Sequence, residues 1–351
     1  MQKCTSQTLP LIVTDDLFKN NKTWPLGLSV NIYNILKIDT GVEQTFQVSF
    51  ILKTSWYEEK MRHIEKDTII KDHDDFERPK LQVMNAQGIE IYDEKMKALK
   101  GGLMIYKIKY NATIKENFEL WNFPFDYQPL HLRIRATSPV QNIVFHESFR
   151  FGGRDQCKFE DSDLADFEFR EDLTRVIFDN SKQRNEFIYQ VVYKRSRAYY
   201  YFHIYLPLFI LEFITFNIAM LNPADNFADA INIILISLLT QITFRLGLAD
   251  ILPKVAYLTL VDYYFLLNII YSLFLSITEI VFYFIEVERD ERIYYFLVLF
   301  GSWAFLNIIY FLVLACKRFT FADCDEQIRL LAGKTNAIIM KDVHFIKKKE
   351  K

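Results

Sequence analysis

The order of apolar and polar positions divides the chain into two halves of different character. As far as about residue 197, short stretches that alternate apolar and polar residues are separated by polar turns, and four long apolar stretches follow from residue 198 onward. Alternation with a period of two is typical of half-buried strands, whereas about 20 consecutive apolar residues are enough for a helix to cross a bilayer. We therefore predict an N-terminal all-β domain over residues 1–197, a transmembrane domain over 198–316 and a polar C-terminal tail over 317–351.

The first two predicted strands form a hairpin. "GLSVNIYNILKI" (27–38) and "EQTFQVSFILKTSW" (43–56) both alternate, and "DTG" (39–41) between them favours a tight turn. Further alternating stretches read "GLMIYKIKYNATI", "LHLRIRA", "ADFEFRED", "TRVIF" and "EFIYQVVYKR". Turn residues separate them, and this pattern predicts a sandwich of antiparallel strands.

The four apolar stretches predict four membrane helices over 198–221, 230–249, 257–285 and 293–316. The connections between them are short, so the helices are expected to form an antiparallel bundle in a lipid bilayer. Pro207 lies inside the first helix, where its missing N–H is expected to kink the backbone. The chain is thus predicted to be a multi-pass membrane protein.

Composition and charge exclude some functions. The 351 residues have a formal net charge of −2, which gives no electrostatic reason to expect nucleic-acid binding. The four cysteines have no metal-ligand spacing, and no phosphate-binding loop or cofactor motif is present, so neither a metal nor a cofactor is expected. A membrane-bound enzyme is therefore the weaker alternative.

The second apolar stretch carries more polar residues than hydrocarbon tolerates. At ~100° per residue, two stripes lie on opposite faces of this helix. One stripe, called the pore stripe below, contains Asn232, Ile236, Leu239, Thr243 and Leu246, with Asp229 and Asp250 near its two ends; the other contains Ser237, Gln241 and Arg245. Periodicity alone does not decide which stripe meets water.

Two charged residues inside the predicted bundle need partners, because a lone charge in a membrane is costly. Arg245 is expected to pair with Asp262, which lies about a turn into the third helix. The rival interpretation places Arg245 in a pore, where it would select anions. Glu212 has no evident partner in the first helix, and a protonated side chain is one option for it.

The segment "LWNFPFDYQPLHLRI" (120–134) resembles the signature loop of the pentameric ligand-gated ion channels, whose motif is Phe-Pro-Phe-Asp-x-Gln. "WYE" (56–58), "RPKLQVMNA" (78–86), Pro207 and the pair Leu252-Pro253 resemble further family features in the same order, as far as Cys316. The family's named disulfide would need cysteines near Glu116 and Leu130. Their absence is similar to the cysteine-less branch that is common in prokaryotes.

This resemblance implies a homopentamer, in which four further copies of the chain surround a central pore in the cell membrane. It places the β-domain outside the cell or in the periplasm, although the positive-inside rule alone would put it in the cytoplasm. The register after Leu252-Pro253 implies that the pore stripe lines the channel, with Ile236 and Leu239 as an apolar gate. Carboxylate rings at Asp229 and Asp250 imply a cation channel. An anion-selective channel and a non-conducting receptor or scaffold remain the alternatives.

The resemblance also implies where ligand binding and pore opening are coupled. The coupling residues would lie at the contact between the two domains, and Asp126 is expected to form a strong bond with Arg195 or Arg197. A purely bracing role for Asp126 is the alternative. The implied set is Asp39, Pro124, Phe125, Asp126, Arg195, Arg197, Pro253 and Lys254.

The ligand site of the family is an aromatic box, and little of that box is present. The matching positions carry Ile51, Met84 and about Thr137–Ser138 instead of aromatic residues. Phe178 and Tyr189 are the remaining aromatic candidates, with strand core as the alternative for both. The agonist is therefore unidentified. Protons are one option, since His131 and the segment "DHDD" (72–75) can titrate.

Overall fold

The computed structural model describes two regions, a β-rich region followed by helices. The described residues are 23–41, 43–70, 75–137, 142–145, 158–160, 164–179, 185–221, 227–249, 252–285, 287, 289–317, 338–340 and 344–346. The strands are β1 (Thr23–Asp39), β2 (Thr45–Tyr57), β3 (Thr68–Ile70), β4 (Leu81–Val83), β5 (Ala86–Leu99), β6 (Leu103–Lys115), β7 (Tyr127–Ala136), β8 (Asn142–Phe145), β9 (Lys158–Glu160), β10 (Phe167–Phe169), β11 (Arg175–Asp179), β12 (Glu186–Arg195), β13 (Ile338–Met340) and β14 (His344–Ile346).

The described strands form two sheets. The larger sheet has the order β14-β9-β1-β2-β6-β5-β3, with β8 also on β1, and the smaller has the order β13-β11-β12-β7-β4, with β10 also on β12. Alternation on β2 and β7 sends every second side chain inward, as the sequence predicted. Phe50, Trp56 and Phe187 are among the fully buried side chains of the region between the sheets.

The predicted hairpin is present, with Asp39 opposite Thr45 across the turn. The prediction of purely antiparallel strands was wrong, because β8 and β9 both pair with β1 in parallel. Strand β5 was missed, and "ADFEFRED" forms a strand only over Phe167–Phe169. The parallel strands β8 and β9 were not predicted, because three or four residues are too few to show an alternation of apolar and polar positions.

The described part of the chain contains four helices that are long and apolar enough to cross a membrane. The first, Ala198–Ala219, contains two short helical turns and most of α1 (Leu206–Leu221), and the other three lie in α2 (Phe227–Gly247), α3 (Leu260–Ile285) and α4 (Arg289–Lys317). The protein is therefore a multi-pass membrane protein. A helical turn at Ala198–Tyr200 and a π-helical turn at Tyr201–Tyr205 precede α1, so the irregularity expected at Pro207 lies just before it. Proline has no backbone N–H and cannot donate the usual bond to the residue four positions earlier. A π turn changes the bonding pattern at this point, because its bonds join residues five positions apart.

Helix α3 begins at Leu260, three residues later than predicted, for a local reason. The backbone N–H and the hydroxyl of Thr259 donate to Asp262 Oδ2 at 3.0 and 2.8 Å, and the Asp262 N–H donates back to the Thr259 hydroxyl at 3.4 Å. This reciprocal arrangement is a capping box, which stabilises a helix start. Residues 257–259 therefore belong to the link between α2 and α3.

The predicted polar tail is not structureless throughout. Its strands β13 and β14 pair with β11 and β9, so the segment after the fourth helix adds to both sheets of the N-terminal region. The alternation of apolar and polar residues did not predict these two strands, because each is only three residues long.

Candidate functional site

Helix α2 packs against α1 and α3 through one narrow face. Ala230, Ile234, Ser237 and Gln241 are its buried residues, and their spacing of three or four residues keeps them on that face. The opposite face, which carries the pore stripe, is uncovered in the single chain. Ile236, Leu239 and Leu246 are 62%, 64% and 67% exposed, and Asn232 and Thr243 are exposed as well.

The buried polar side chains of α2 form hydrogen bonds with both neighbouring helices. The hydroxyl of Thr215 on α1 donates to Ser237 Oγ at 2.8 Å, and Gln241 Nε2 donates to Glu212 Oε2 at 2.7 Å. The same amide nitrogen donates to Ser272 Oγ on α3 at 2.9 Å. Packing therefore distinguishes the two stripes that periodicity left equal.

Arg245 pairs with Asp262, as predicted from the sequence. Its Nη2 donates to Asp262 Oδ1 at 2.8 Å, while the other carboxylate oxygen accepts the two Thr259 bonds. Asp262 therefore both caps α3 and holds the arginine of α2. This arrangement directs the guanidinium toward a neighbouring helix of the same chain.

The two predicted charge-ring residues differ in how far the structure describes them. Asp229 is exposed in the first turn of α2, where a carboxylate also interacts favourably with the helix N-terminus. Asp250 lies outside the described residues.

Asp126 and Arg195 form a buried ion pair where the β-region meets the helices. Arg195 Nε donates to Asp126 Oδ1 at 2.9 Å, and its Nη2 donates to Oδ2 at 3.2 Å. The two residues are only 3% and 4% exposed. Burial alone would lower the pKa of Arg195, but the charge of Asp126 and its hydrogen bonds outweigh burial and raise the pKa. The predicted arginine–carboxylate bond is thus present, and Arg195 is the partner.

The hairpin between β1 and β2 joins this pair through Thr40. Arg195 Nη2 also donates to Thr40 Oγ1 at 3.0 Å, so the guanidinium contacts both the hairpin turn and the signature loop. The neighbouring Asp39 accepts a bond from the Gly41 N–H at 2.9 Å and shapes the turn itself. The sequence singled out Asp39, but Thr40 makes the contact.

Aromatic rings carry the contact from the signature loop to the first membrane helix. Phe123 lies edge-on to Tyr200 with 5.0 Å between ring centroids, and Phe125 lies edge-on to Tyr201 at 5.5 Å. Arg195 lies 4.8 Å from the Phe123 ring centroid, and Arg197 lies 5.3 Å from that of Phe125. The peptide bond before Pro124 is cis.

A second contact between the domains involves the link before α3, and the sequence analysis missed it. The Leu120 N–H donates to the Tyr257 hydroxyl at 2.9 Å, and the Trp121 and Tyr257 rings stack with centroids 3.9 Å apart. Pro253 is half-buried and Lys254 exposed in the same link. The available signal was an aromatic residue on each side: Trp121, two residues before the motif, and Tyr257, four residues after Pro253.

Glu116 and His131 close the base of the signature loop. His131 Nδ1 lies 3.1 Å from Glu116 Oε2, and the His131 N–H donates to the same oxygen at 2.9 Å. This contact lies beside the two positions where a disulfide was considered. A polar pair thus connects the two ends of the loop in this chain.

The ligand candidates lie in different environments. Met84 is 40% exposed, whereas Tyr189 is fully buried in the core of the β-region. The strand-core alternative therefore describes Tyr189. The side chain of Phe178 lies outside the described residues, as do 72–74 of "DHDD".

A comparison of the chain with models of known protein families finds no matching family.

Proposed function

We propose that the protein is a ligand-gated cation channel, formed by five copies of this chain around a pore lined by α2. The observation that carries the proposal is the orientation of α2 in the single chain. Its polar stripe with Ser237 and Gln241 is buried between α1 and α3, while the pore stripe is left without cover. An interface with other copies and a water-filled axis would account for that uncovered face.

The composition of the uncovered face argues for water rather than lipid. Exposed residues of α3 and α4 are predominantly apolar, for example Phe274, Phe284 and Phe305. The exposed residues on the uncovered side of α2 include Asn232, Thr240 and Thr243. Polar groups inside membrane proteins face the bundle interior or a water-filled cavity.

The gate would be the apolar part of the pore stripe. Ile236 and Leu239, 62% and 64% exposed in one chain, would form stacked rings in a pentamer. Apolar constrictions of this kind stop ions by dewetting.

The location of charge favours cations. The exposed Asp229 and, from the sequence, Asp250 supply carboxylates at the two ends of α2. Arg245 is neutralised by Asp262 at 2.8 Å, which weakens the anion-channel alternative.

Coupling would run through the contact between the domains. The Asp126–Arg195 pair, Thr40 and the Trp121–Tyr257 stack connect the β-region to the start of α1 and of α3. A ligand shifts a closed–open equilibrium only by binding the two states differently, and these contacts are the ones such a shift would rearrange.

The channel is tested by weakening the gate, because the agonist is unidentified. Leu239→Ser, expressed in oocytes, should produce a leak current, since a hydroxyl ring keeps the constriction wet. The reversal potential is measured while external sodium chloride is diluted, and it should follow the sodium potential. Leu266→Ser is the matched control: this leucine of α3 is also exposed, at 44%, but lies off the proposed pore.

The other outcomes decide between the alternatives. A leak that follows chloride would make the channel anion-selective. No leak, with the variant present at the cell surface, would favour a non-conducting receptor or scaffold. The assembly itself predicts a native mass near five times 41.8 kDa after correction for bound detergent.

A further inference from the structure

Glu212 is a fully buried carboxyl group in the middle of the membrane helices, with an exposed fraction of 0%. Its Oε2 accepts bonds from Gln241 Nε2 at 2.7 Å and from the Ser272 hydroxyl at 2.8 Å. The site therefore connects α1 to α2 and α3. Its contact on α2 is Gln241, on the face opposite the pore stripe.

Two oxygen atoms of this site have no hydrogen-bond donor. Within the described residues, Glu212 Oε1 and Gln241 Oε1 are both buried and without a hydrogen-bond partner. Both atoms are acceptors if the carboxyl group is ionised. Buried polar atoms in proteins are nearly always paired, so two unsatisfied acceptors around one carboxyl group point to a missing proton.

The site also lacks a positive charge. Apart from Asp229 and Glu291, which are exposed near the helix ends, the charged groups with described side chains on these helices are Arg245 on α2, Asp262 and Glu279 on α3, and Arg292 on α4. Arg245 is bonded to Asp262 at 2.8 Å, and Arg292 to Glu279 at 2.6 Å. Among the described residues, no ion pair involves Glu212.

Glu279 is the comparison within the bundle. It is as buried as Glu212, at 1% exposed, and its Oε1 also lacks a hydrogen-bond partner among the described residues, but its Oε2 accepts a charge-assisted bond from the buried guanidinium of Arg292. Glu212 has an amide and a hydroxyl instead. An isolated charge within a bilayer is unfavourable unless it is paired, hydrated or neutralised.

We infer that Glu212 is a proton-binding site and that its protonation controls the packing of the pore helix. The neutral acid donates its O–H to the amide of Gln241, and on release the proton passes to water and leaves a carboxylate. That carboxylate is a lone buried charge, so the conformation described here is favoured while Glu212 is neutral, and alkaline conditions favour a rearranged α2. The control of gating rests on the proposed channel function; the proton site does not.

Infrared spectroscopy on the purified full chain in lipid nanodiscs tests whether Glu212 is protonated. At neutral pH the wild type should show the C=O stretch of a protonated carboxylic acid, which titrates away at alkaline pH. Glu212→Gln, which keeps the shape and the amide-type bonds, should lose this band. The control Glu279→Gln should keep it, because Glu279 is ionised beside Arg292. Identical spectra for wild type and Glu212→Gln, or a carboxylate band in place of the acid band, would overturn the proton site.

The control of gating is tested in the Leu239→Ser background. The leak current should depend on external pH, and adding Glu212→Gln should abolish that dependence while a current remains. A pH dependence that survives Glu212→Gln, or a leak independent of pH, would show that the proton does not control the pore helix. If no leak exists at all, the channel proposal fails, whereas the spectra still decide the proton site.

Discussion

At the scale of single residues, two ion pairs among the described residues have both partners buried. Arg195 and Asp126 lie at the domain contact, and Arg292 and Glu279 lie between α3 and α4. A buried pair contributes little net stability compared with apolar residues, but removing one partner leaves the other as an uncompensated charge. The pairs therefore specify which elements meet.

Asp126→Asn should be strongly destabilising for this reason. The substitution keeps the shape of the side chain but leaves the Arg195 guanidinium, 4% exposed, without its countercharge. We expect a loss of about 3–5 kcal/mol in the free energy of unfolding. Thermal unfolding of the full chain in detergent, followed by intrinsic fluorescence, measures the change.

A surface pair of similar geometry is the control. Arg170 donates to both oxygens of Asp172 at 2.9 Å, but the Asp172 side chain is 59% exposed. Asp172→Asn should therefore cost about 0–1 kcal/mol. Equal effects of the two substitutions would mean that burial does not set the strength of the Asp126 pair.

At the scale of elements, one row of the larger sheet carries like charges side by side. Lys107 on β6 lies opposite Lys53 on β2 and opposite Lys95 on β5. Burial, and then repulsion from the neighbouring lysines, lowers the pKa of Lys107. Asp93 is the acidic neighbour, 3.0 Å from Lys95 and 3.7 Å from Lys109.

Lys107→Thr should therefore stabilise the β-region at neutral pH. Directly opposed like charges cost about 0.2–1 kcal/mol, and threonine suits a strand. Because the folded-state pKa of Lys107 lies below its unfolded value of 10.5, the folded protein releases this proton first, and the penalty disappears as pH rises toward that value. The gain in unfolding temperature should accordingly shrink between neutral and alkaline pH.

Lys97→Thr on β5, the strand next to β6, is the control for Lys107→Thr. Lys97 lies opposite Ile105 and Ile69 rather than another lysine. This substitution should have a smaller effect, without the dependence on pH. A gain at Lys97 as large as that at Lys107 would assign the effect to strand propensity rather than to charge.

At the scale of the whole molecule, the β-region and the helices share one core. A single cluster of buried apolar residues runs from the sheets into the helices and includes Phe123, Tyr200, Tyr205 and Phe265. The tail strands β13 and β14 then return to the two sheets after α4. Four crossings place the end of α4 on the side of the membrane where the β-region lies.

The N-terminal region and the tail should therefore be accessible from the same side. An epitope tag fused after Lys351 and a tag placed before residue 23 should have the same accessibility to antibody on intact oocytes, and in the proposed orientation both should bind without permeabilisation. Binding to one of these two tags but not to the other would contradict the pairing of the tail with the β-region. A tag in the short link between α3 and α4 should have the opposite accessibility and serves as the internal control.

The amino-acid sequence by itself determined the features that depend on neighbours along the chain. Alternation over seven or more residues identified β1, β2, β6, β7 and β12, and continuous apolar stretches identified all four helices, because these patterns repeat within one element. The short distance from the end of α2 to the start of α3 was enough to predict the Arg245–Asp262 bond. The capping residues Thr259 and Asp262 are also a sequence signal for the observed start of α3, three residues after the predicted start.

Only the tertiary structure decided the contacts between segments far apart in sequence. It selected Arg195 over Arg197 as the partner of Asp126, 69 positions away, and brought Tyr257 to Leu120 across 137 positions. It also buried Ser237 and Gln241 rather than the pore stripe, and it placed Glu212 beside the uncharged side chains of Gln241 and Ser272. Polar residues recur with helical spacing on two faces of α2, so the spacing does not show which face is buried. The choice between those faces depends on the surfaces of α1 and α3, which local pattern does not encode.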